Sequence, residues 1–348
     1  MDIDFAENLL RWHHEDNTRQ MPWKGEKNPY RIWISEIILQ QTRVEQGEAY
    51  YRKFINRFPD IQSLAQADDA EVFKLWEGLG YYTRCKNLLL TARHIANELR
   101  SEFPSTYNDI LKLKGVGPYT AAAIASFAFG EPRAVLDGNV VRVLSRYFGI
   151  STPAQTTGGK QLYTTLANSL ISGENPAAYN QAIMDFGATV CRPRNPLCNI
   201  CVQQDNCQAY QKNYVHLLPV KEKALAKRMR WMNYFIVRHN GYVFLRKRTS
   251  RDIWQNLHEF ILSETEHELT DPDVLLRRMF PGITYRLTLT YQSGTQQLSH
   301  QTIRGNFYVV DLQQRADPGP DYEMVKADNL HEYAFPRYIN SFLREHSV

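Results

Sequence analysis

The sequence predicts a chain of two domains, an all-α region followed by an α+β region. Three observations lead there. The length, 348 residues, exceeds what a single domain of ordinary size needs. Residues 1–210 repeat their apolar positions near a 3.6 period, without the regular repeat of a solenoid. Beyond Cys207 the texture turns to short apolar runs punctuated by turn dipeptides. The division expected is 1–215 for the helical region, 216–228 for a linker and 229–348 for the second domain.

Helical periodicity covers Glu7 to His14, Tyr30 to Gln40, Glu45 to Arg57, Asp69 to Trp76, and Arg84 to Leu99. Asp68 and Asp69 are natural N-caps for the stretch that ends at Glu77. Pro118 suits the first position of an apolar helix from Tyr119 to Phe129, because a missing N–H costs nothing there. Residues 216–230 hold five Lys or Arg and one Glu, the composition of a basic linker or a frayed helix. Asn240-Gly241, between Trp231–Val237 and Tyr242–Arg246, is a strong two-residue hairpin signal. Strand-like runs recur at Thr284–Tyr291 and Asn306–Val310, with helical patterns at Asp271–Phe280 and Pro336–Glu345.

Composition narrows the function classes. Hydrophobic residues at 43% and charged residues at 22% are globular values that argue against global disorder. No apolar run approaches the ~20 residues of a bilayer crossing. The start, MDIDFAENLL, lacks the basic-then-apolar layout of a secretory signal, so a cytoplasmic location is expected. A net charge of +4 hints at an anionic partner without proving one.

Cys191, Cys198, Cys201 and Cys207 are separated by six, two and five residues. Four thiolates so close in sequence can converge on one metal centre, and by spacing alone iron–sulfur and zinc compete evenly. Cys85 stands apart and reads as core. Leu113-Lys114-Gly115-Val116-Gly117-Pro118-Tyr119 lies between helical stretches. A Gly-x-Gly turn opening onto a helix leaves backbone N–H groups of Gly115, Val116 and Gly117 able to face a phosphate, though such a turn is often no more than a turn. Glu36 lies inside the apolar run Ile34-Ser35-Glu36-Ile37-Ile38-Leu39. Most helical Glu are solvated, but a carboxyl among apolar neighbours would have its pKa raised and keep a proton near neutrality. Asp137, before Gly138, is ordinarily a cap; as an ionised partner to Glu36 it would complete the carboxyl pair that cleaves glycosidic bonds.

Together these pieces resemble the helix-hairpin-helix DNA glycosylases with an iron–sulfur cluster, and within them the adenine DNA glycosylases of the MutY family. The resemblance rests on Pro22-Trp23, Asn28-Pro29-Tyr30, Trp33-Ile34-Ser35-Glu36 with Leu39-Gln40-Gln41-Thr42, and Trp76-Glu77-Gly78-Leu79-Gly80-Tyr81-Tyr82. The Gly-x-Gly turn, Leu136-Asp137-Gly138-Asn139 and the four cysteines complete it. It implies a [4Fe–4S] cluster on Cys191, Cys198, Cys201 and Cys207, and double-stranded DNA with adenine opposite 8-oxoguanine or guanine as partner. The protein would act as a monomer. Glu36 would be the general acid on the adenine ring and Asp137 the carboxylate beside the oxocarbenium-like sugar, assisted by Tyr119 and Asn139. Trp23 and Gln181 would line the adenine pocket, Gln41, Leu79 and Tyr81 would probe or wedge the stack around the oxidised guanine, and Lys24 and Thr42 would also bind substrate. Tyr119 stands where bifunctional relatives carry a nucleophilic lysine, so efficient strand cleavage is not expected.

The resemblance also implies a Nudix-like second domain that inspects 8-oxoguanine through Ser299 and His300. Leu298 stands where the family carries Phe, Asn256 where Gly is common, Lys24 where Arg is frequent and Lys114 where Pro is frequent. The glycine-plus-paired-glutamate helix of pyrophosphate hydrolases is absent from the sequence, so that activity is not expected. The competing readings are another mismatch glycosylase, an endonuclease-III-like lyase of the same fold, and an inactive cluster-containing DNA-binding protein.

Overall fold

The computed structural model describes residues 3–171, 173–222 and 227–346. It divides into two compact units, residues 1–66 with 87–223 and residues 67–86 with 224–348. The division differs from the contiguous one expected, because the segment 67–86 packs within the second unit.

In the helical unit, α1 (Ile3–Glu15) is followed by α2 (Pro29–Leu39), α3 (Val44–Arg57) and α4 (Ile61–Ala65). Asp68 caps α5 (Asp69–Leu75) by accepting from Ala70 N–H, and α6 (Thr83–Glu98) follows; the unit boundary falls at residue 86. The rest comprises α7 (Tyr107–Ile110), α8 (Pro118–Phe129), α9 (Gly138–Phe148), α10 (Thr157–Leu170), α11 (Pro176–Thr189) and α12 (Gln208–Gln211). Local rules explain the ends that matter. Asn28 accepts from Tyr30 and Arg31 N–H and Pro29 takes the first position, so α2 starts there. Gly130 (φ +68°) ends α8 and Gly149 (φ +67°) ends α9 in the left-handed conformation that a side chain would strain.

Phe5, Leu9 and Trp12 share one face of α1 and join Val143, Leu144, Ile183 and Phe186 of α9 and α11 in the core. Helix α8 is buried on every side from Thr120 to Ser126, which is why its sequence is apolar without a polar face. The helix preceding the Gly-x-Gly turn is a single turn, α7, shorter than the helical stretch expected there.

The second unit is built on a mixed sheet. Strand β1 (Arg228–His239) is central and is followed by β2 (Tyr242–Lys247), β3 (His258–Glu259) and β4 (Ile261–Thr265). After α13 (Pro272–Met279) come β5 (Tyr285–Gln292), β6 (Gln296–Gln297), β7 (Gln301–Arg304), β8 (Asn306–Leu312) and β9 (Glu323–Lys326), then α14 (Arg337–Glu345). β1 pairs antiparallel with β2 and β4 and parallel with β7 and β8. Asn240 (φ +50°) and Gly241 (φ +78°) form the two-residue turn as expected.

Both faces of the sheet are covered. Phe235, Tyr308 and Val310 meet Leu276 of α13 and its C-cap Phe280, whereas Phe307 stacks on Phe342 of α14 at 4.4 Å. Alternate residues therefore point to different helices, and β1 reads as a nearly continuous buried run. The expected basic linker needs correcting at its end. Arg228 to Arg230 belong to β1, and residues 223–226 of that stretch lie outside the described residues.

Candidate functional site

A cavity of about 440 Å³ opens in the helical unit, lined in part by Glu36, Tyr119, Asp137 and Asn139. Glu36 sits mid-α2 and is only 7% exposed. Burial raises its pKa to about 7; a hydrogen bond with Tyr119 opposes the rise and the charge of Asp137 adds to it. The Tyr119 hydroxyl also lies 3.7 Å from Met184 Sδ, and burial raises its own pKa.

Asp137 is both a cap and a cavity residue, using a different oxygen for each contact. Oδ1 accepts from Val140 N–H at 2.7 Å, closing the first turn of α9, while Oδ2 accepts from Asn139 Nδ2 at 2.7 Å. Burial raises the Asp137 pKa, opposed by these hydrogen bonds and by Arg142. Arg142 Nη2 donates to Asn139 Oδ1 at 2.7 Å, which fixes the amide orientation so that Nδ2 faces Asp137. Its Nε donates to Cys191 O at 2.7 Å.

Trp23, Lys24, Thr42 and Gln181 line the same cavity, so four of the expected substrate-binding residues, Trp23 and Gln181 of the adenine pocket among them, come together with the carboxyl pair. Gln41 does not join them. It follows α2, is exposed, and has φ +59°, a conformation uncommon outside glycine. The sequence reading missed Asp185. This fully buried carboxylate of α11 accepts from Arg19 Nη1 and Asn17 Nδ2, each at 2.8 Å, and lies 3.2 Å from Lys24 Nζ. Arg19 and Lys24 both line the cavity, so one hidden charge holds part of its wall. The signal was present: Asp185 interrupts an apolar helical run just as Glu36 does.

At the Gly-x-Gly turn, Gly115 has φ +80° and an added Cβ would stand 2.6 Å from Asn87 Cβ, so no other residue fits without displacement. Thr91 Oγ1 donates to Lys114 O at 2.8 Å and holds the turn. Val116 is buried, and Gly117 caps α8 without any side-chain bond to its first N–H groups. Those donors, at the positive end of a helix, suit an anion.

Cys191, Cys198, Cys201 and Cys207 line one small cavity together with Arg146. Arg146 Nη1 lies 3.4 Å from Cys191 Sγ and donates to Arg192 O at 2.8 Å. Burial pushes the thiols of Cys198, Cys201 and Cys207 up, that of Cys201 to about 12. Among the described residues, no group of three or more His, Cys, Asp or Glu side chains is arranged to hold a single metal ion. Four soft donors on one cavity do fit a thiolate-bound group in kind. Cys85 is fully buried, as expected of core.

In the second unit a cavity of about 800 Å³ is lined by Leu79, Tyr81, Ser299 and His300. Tyr81 is half exposed with φ +49°, and its hydroxyl lies 2.6 Å from Ser299 Oγ. Leu79 keeps only 7% of its surface exposed. Asn256, at a position the family often fills with Gly, has φ +71°, which asparagine tolerates better than most residues.

Residues 34–162 match the HhH-GPD superfamily of base excision DNA repair proteins, a span that holds Glu36, Tyr119, Asp137 and Asn139. Residues 233–345 match the NUDIX domain, a span that holds Ser299 and His300. Fold and cavity thus define a helix-hairpin-helix base excision repair protein with a Nudix-type domain. The chain is 38% identical over 258 residues to the adenine DNA glycosylase of Buchnera aphidicola subsp. Schizaphis graminum (strain Sg), 74% of each chain. It is 41% identical over 217 residues to the adenine DNA glycosylase of Mus musculus, 60% of this chain and 42% of the other. A solved thermostable thymine-DNA glycosylase is similar at TM-score 0.56 and 32% identity, over 60% of this chain and 95% of that one. The chain belongs to the adenine DNA glycosylase family.

Proposed function

We propose that this protein removes adenine mispaired with 8-oxoguanine or guanine from duplex DNA, hydrolysing the N-glycosidic bond without efficient strand cleavage. The observation that carries the reading is the cavity shared by Glu36 and Asp137, in which burial leaves Glu36 with a pKa of about 7. Such an acid holds a proton near neutrality and can release it to a ring nitrogen of the extruded adenine. The C–N bond then breaks with its electron pair on the base. The Asp137 carboxylate balances positive charge on the sugar, and water completes the exchange. Asn139 holds Asp137, and Tyr119 shares a hydrogen bond with Glu36. Since Tyr119 is not an amine, no Schiff base to the sugar forms through it. Trp23, Lys24 and Gln181 would bound the base.

Cys191, Cys198, Cys201 and Cys207 would hold a [4Fe–4S] cluster, the reading favoured by four thiols on one cavity. When bound it would supply an ordered loop that presents Arg192 and Arg194 to phosphates. Gly115, Val116 and Gly117 would grip the backbone. In the second unit Ser299 and His300, with Leu79 and Tyr81, would recognise the opposite base and fill the stack; in the helical unit Gln41 would probe the stack and Thr42 would bind substrate. We expect a monomer in the cytoplasm.

The test uses full-length protein on three duplexes: adenine opposite 8-oxoguanine, adenine opposite guanine, and thymine opposite guanine. Alkali-labile breaks at adenine alone are expected, with little cleavage before alkali. Excision of thymine instead would favour the activity named for the similar solved structure, and breaks without alkali would mean a lyase. Protein purified anaerobically should carry about four irons per chain; stoichiometric zinc without iron would overturn the cluster assignment.

A further inference from the structure

The basic run that reads as a linker ends inside the sheet, where one of its arginines is enclosed. Arg230 on β1 keeps 8% exposure. A guanidinium has five N–H donors, and here all five are engaged. Nε donates to Glu264 Oε1 at 2.7 Å, and Nη2 to Glu264 Oε2 at 2.6 Å and Asp252 Oδ2 at 2.9 Å. Nη1 donates to Asp252 Oδ1 at 2.9 Å and Gln301 Oε1 at 3.1 Å.

The acceptors come from three places: Glu264 from β4, Asp252 from the loop between β2 and β3, and Gln301 from the start of β7. Asp252 and Gln301 both line the 800 Å³ cavity that contains Ser299 and His300. Gln301 ends the short turn that carries those two residues. Leu298 N–H donates to Gln301 O at 2.8 Å, and Arg228 N–H donates to His300 O at 3.2 Å. The Asp252 loop holds Trp254 and Asn256 at φ +61° and +71°, conformations that persist only when neighbours enforce them. Arg248 Nη2 supports this loop through Asp252 Oδ2 at 3.0 Å.

We infer that Arg230 is a positioning residue for discrimination between bases opposite the excised adenine, tying the Ser299-His300 turn and the 248–257 loop to one point of the sheet. This rests on the proposed role of Ser299 and His300 toward 8-oxoguanine. Arg230 lies beneath the cavity wall and acts through Gln301 and Asp252. Geometry explains why arginine is needed: lysine has the charge but only three donors and no planar fork, so it cannot replace the five bonds that Arg230 makes. Buried ion pairs add little net stability compared with apolar packing, and their best-attested use is to select one arrangement.

The experiment uses full-length holoprotein and duplexes bearing a 2′-fluorinated, cleavage-resistant adenosine opposite 8-oxoguanine or guanine. Two variants separate fold from positioning. Arg230→Lys keeps the charge, whereas Gln301→Met removes only the acceptor that links the turn to Arg230 and leaves the carboxylate pairs intact. Both should narrow the ratio of the two dissociation constants by about three- to tenfold, the value of one lost hydrogen bond. Backbone amides of residues 297–303 should exchange hydrogen faster in both variants without DNA. Equal weakening on both duplexes, with the ratio kept, makes Arg230 structural only and overturns the inference; so does an unaltered ratio with unaltered exchange. If the unmodified protein shows no preference for the 8-oxoguanine duplex, the role of Ser299 and His300 fails first and the inference falls with it.

Discussion

Burial pushes the carboxyls of Glu36, in the helical cavity, and Asp252, in the sheet unit, the same way, yet the two end in opposite states. Burial, helped by the nearby charge of Asp137 and opposed by a hydrogen bond with Tyr119, drives Glu36 up to about 7. Burial also pushes Asp252 up, yet hydrogen bonds from Arg230 and the backbone of Ile253, with the charges of Arg230 and Arg248, bring it below the usual aspartate range. The difference is the counter-ion. Within the helical unit Asp185 is as hidden as Glu36 but is paired with Arg19 and Lys24. Among the described residues Glu36 is left without a paired cation, whereas Asp252 is one of three acceptors that satisfy all five donors of Arg230.

The largest test of that contrast is Glu36→Gln. The variant keeps size and polarity but has no proton to give, so single-turnover excision should fall by ~10²–10⁴ while duplex binding survives. Excision near the unmodified rate would end the assignment of Glu36 as acid.

Asp137→Asn comes next. Asparagine caps a helix as well as aspartate does, so α9 should persist and only the charge is lost. Excision should drop by ~10²–10³, the range for removing one electrostatic stabiliser. A matching loss of helical content by circular dichroism would instead assign Asp137 to folding alone.

Glu36→Gln also has an effect on stability with a predictable sign. The folded pKa, about 7, lies above the ordinary glutamate value of 4.5, so the native state binds the proton more tightly. Stability of the unmodified protein therefore falls as pH rises from about 4.5 to about 7, by up to about 3 kcal/mol. The variant escapes that penalty. Its melting temperature should exceed that of the unmodified protein at pH 8, and the gap should close toward pH 4.5. A gap independent of pH would mean that Glu36 is not held protonated.

The smallest effect concerns the sheet unit. Ser299→Ala with His300→Ala should narrow the preference for adenine opposite 8-oxoguanine by up to about tenfold. The lesion gains an N–H at N7 that a serine hydroxyl can accept, a bond worth ~0.5–1.5 kcal/mol. The excision step should suffer less than binding. An unchanged affinity ratio would leave Ser299 and His300 as an ordinary turn.

What the sequence determined by itself were features with local causes. The Asn28 and Asp68 caps, the Asn240-Gly241 hairpin, the apolar run around Glu36 and the cysteine spacing all depend on residues within a few positions of one another. For that reason α2, α5, α8 and β1 with β2 lay close to their expected places. Residues 138–189, by contrast, were legible only as generally helical, and the short strands β4, β6, β7 and β9 escaped notice because two to five residues carry too little periodicity. Tertiary structure alone decided which charges are paired. Arg19 finds Asp185 across 166 positions and Arg230 finds Gln301 across 71, so a basic run that reads as linker becomes a buried junction. It also decided that Glu36 and Asp137 share one cavity, because the environment that sets a carboxyl's pKa is assembled from helices distant in sequence.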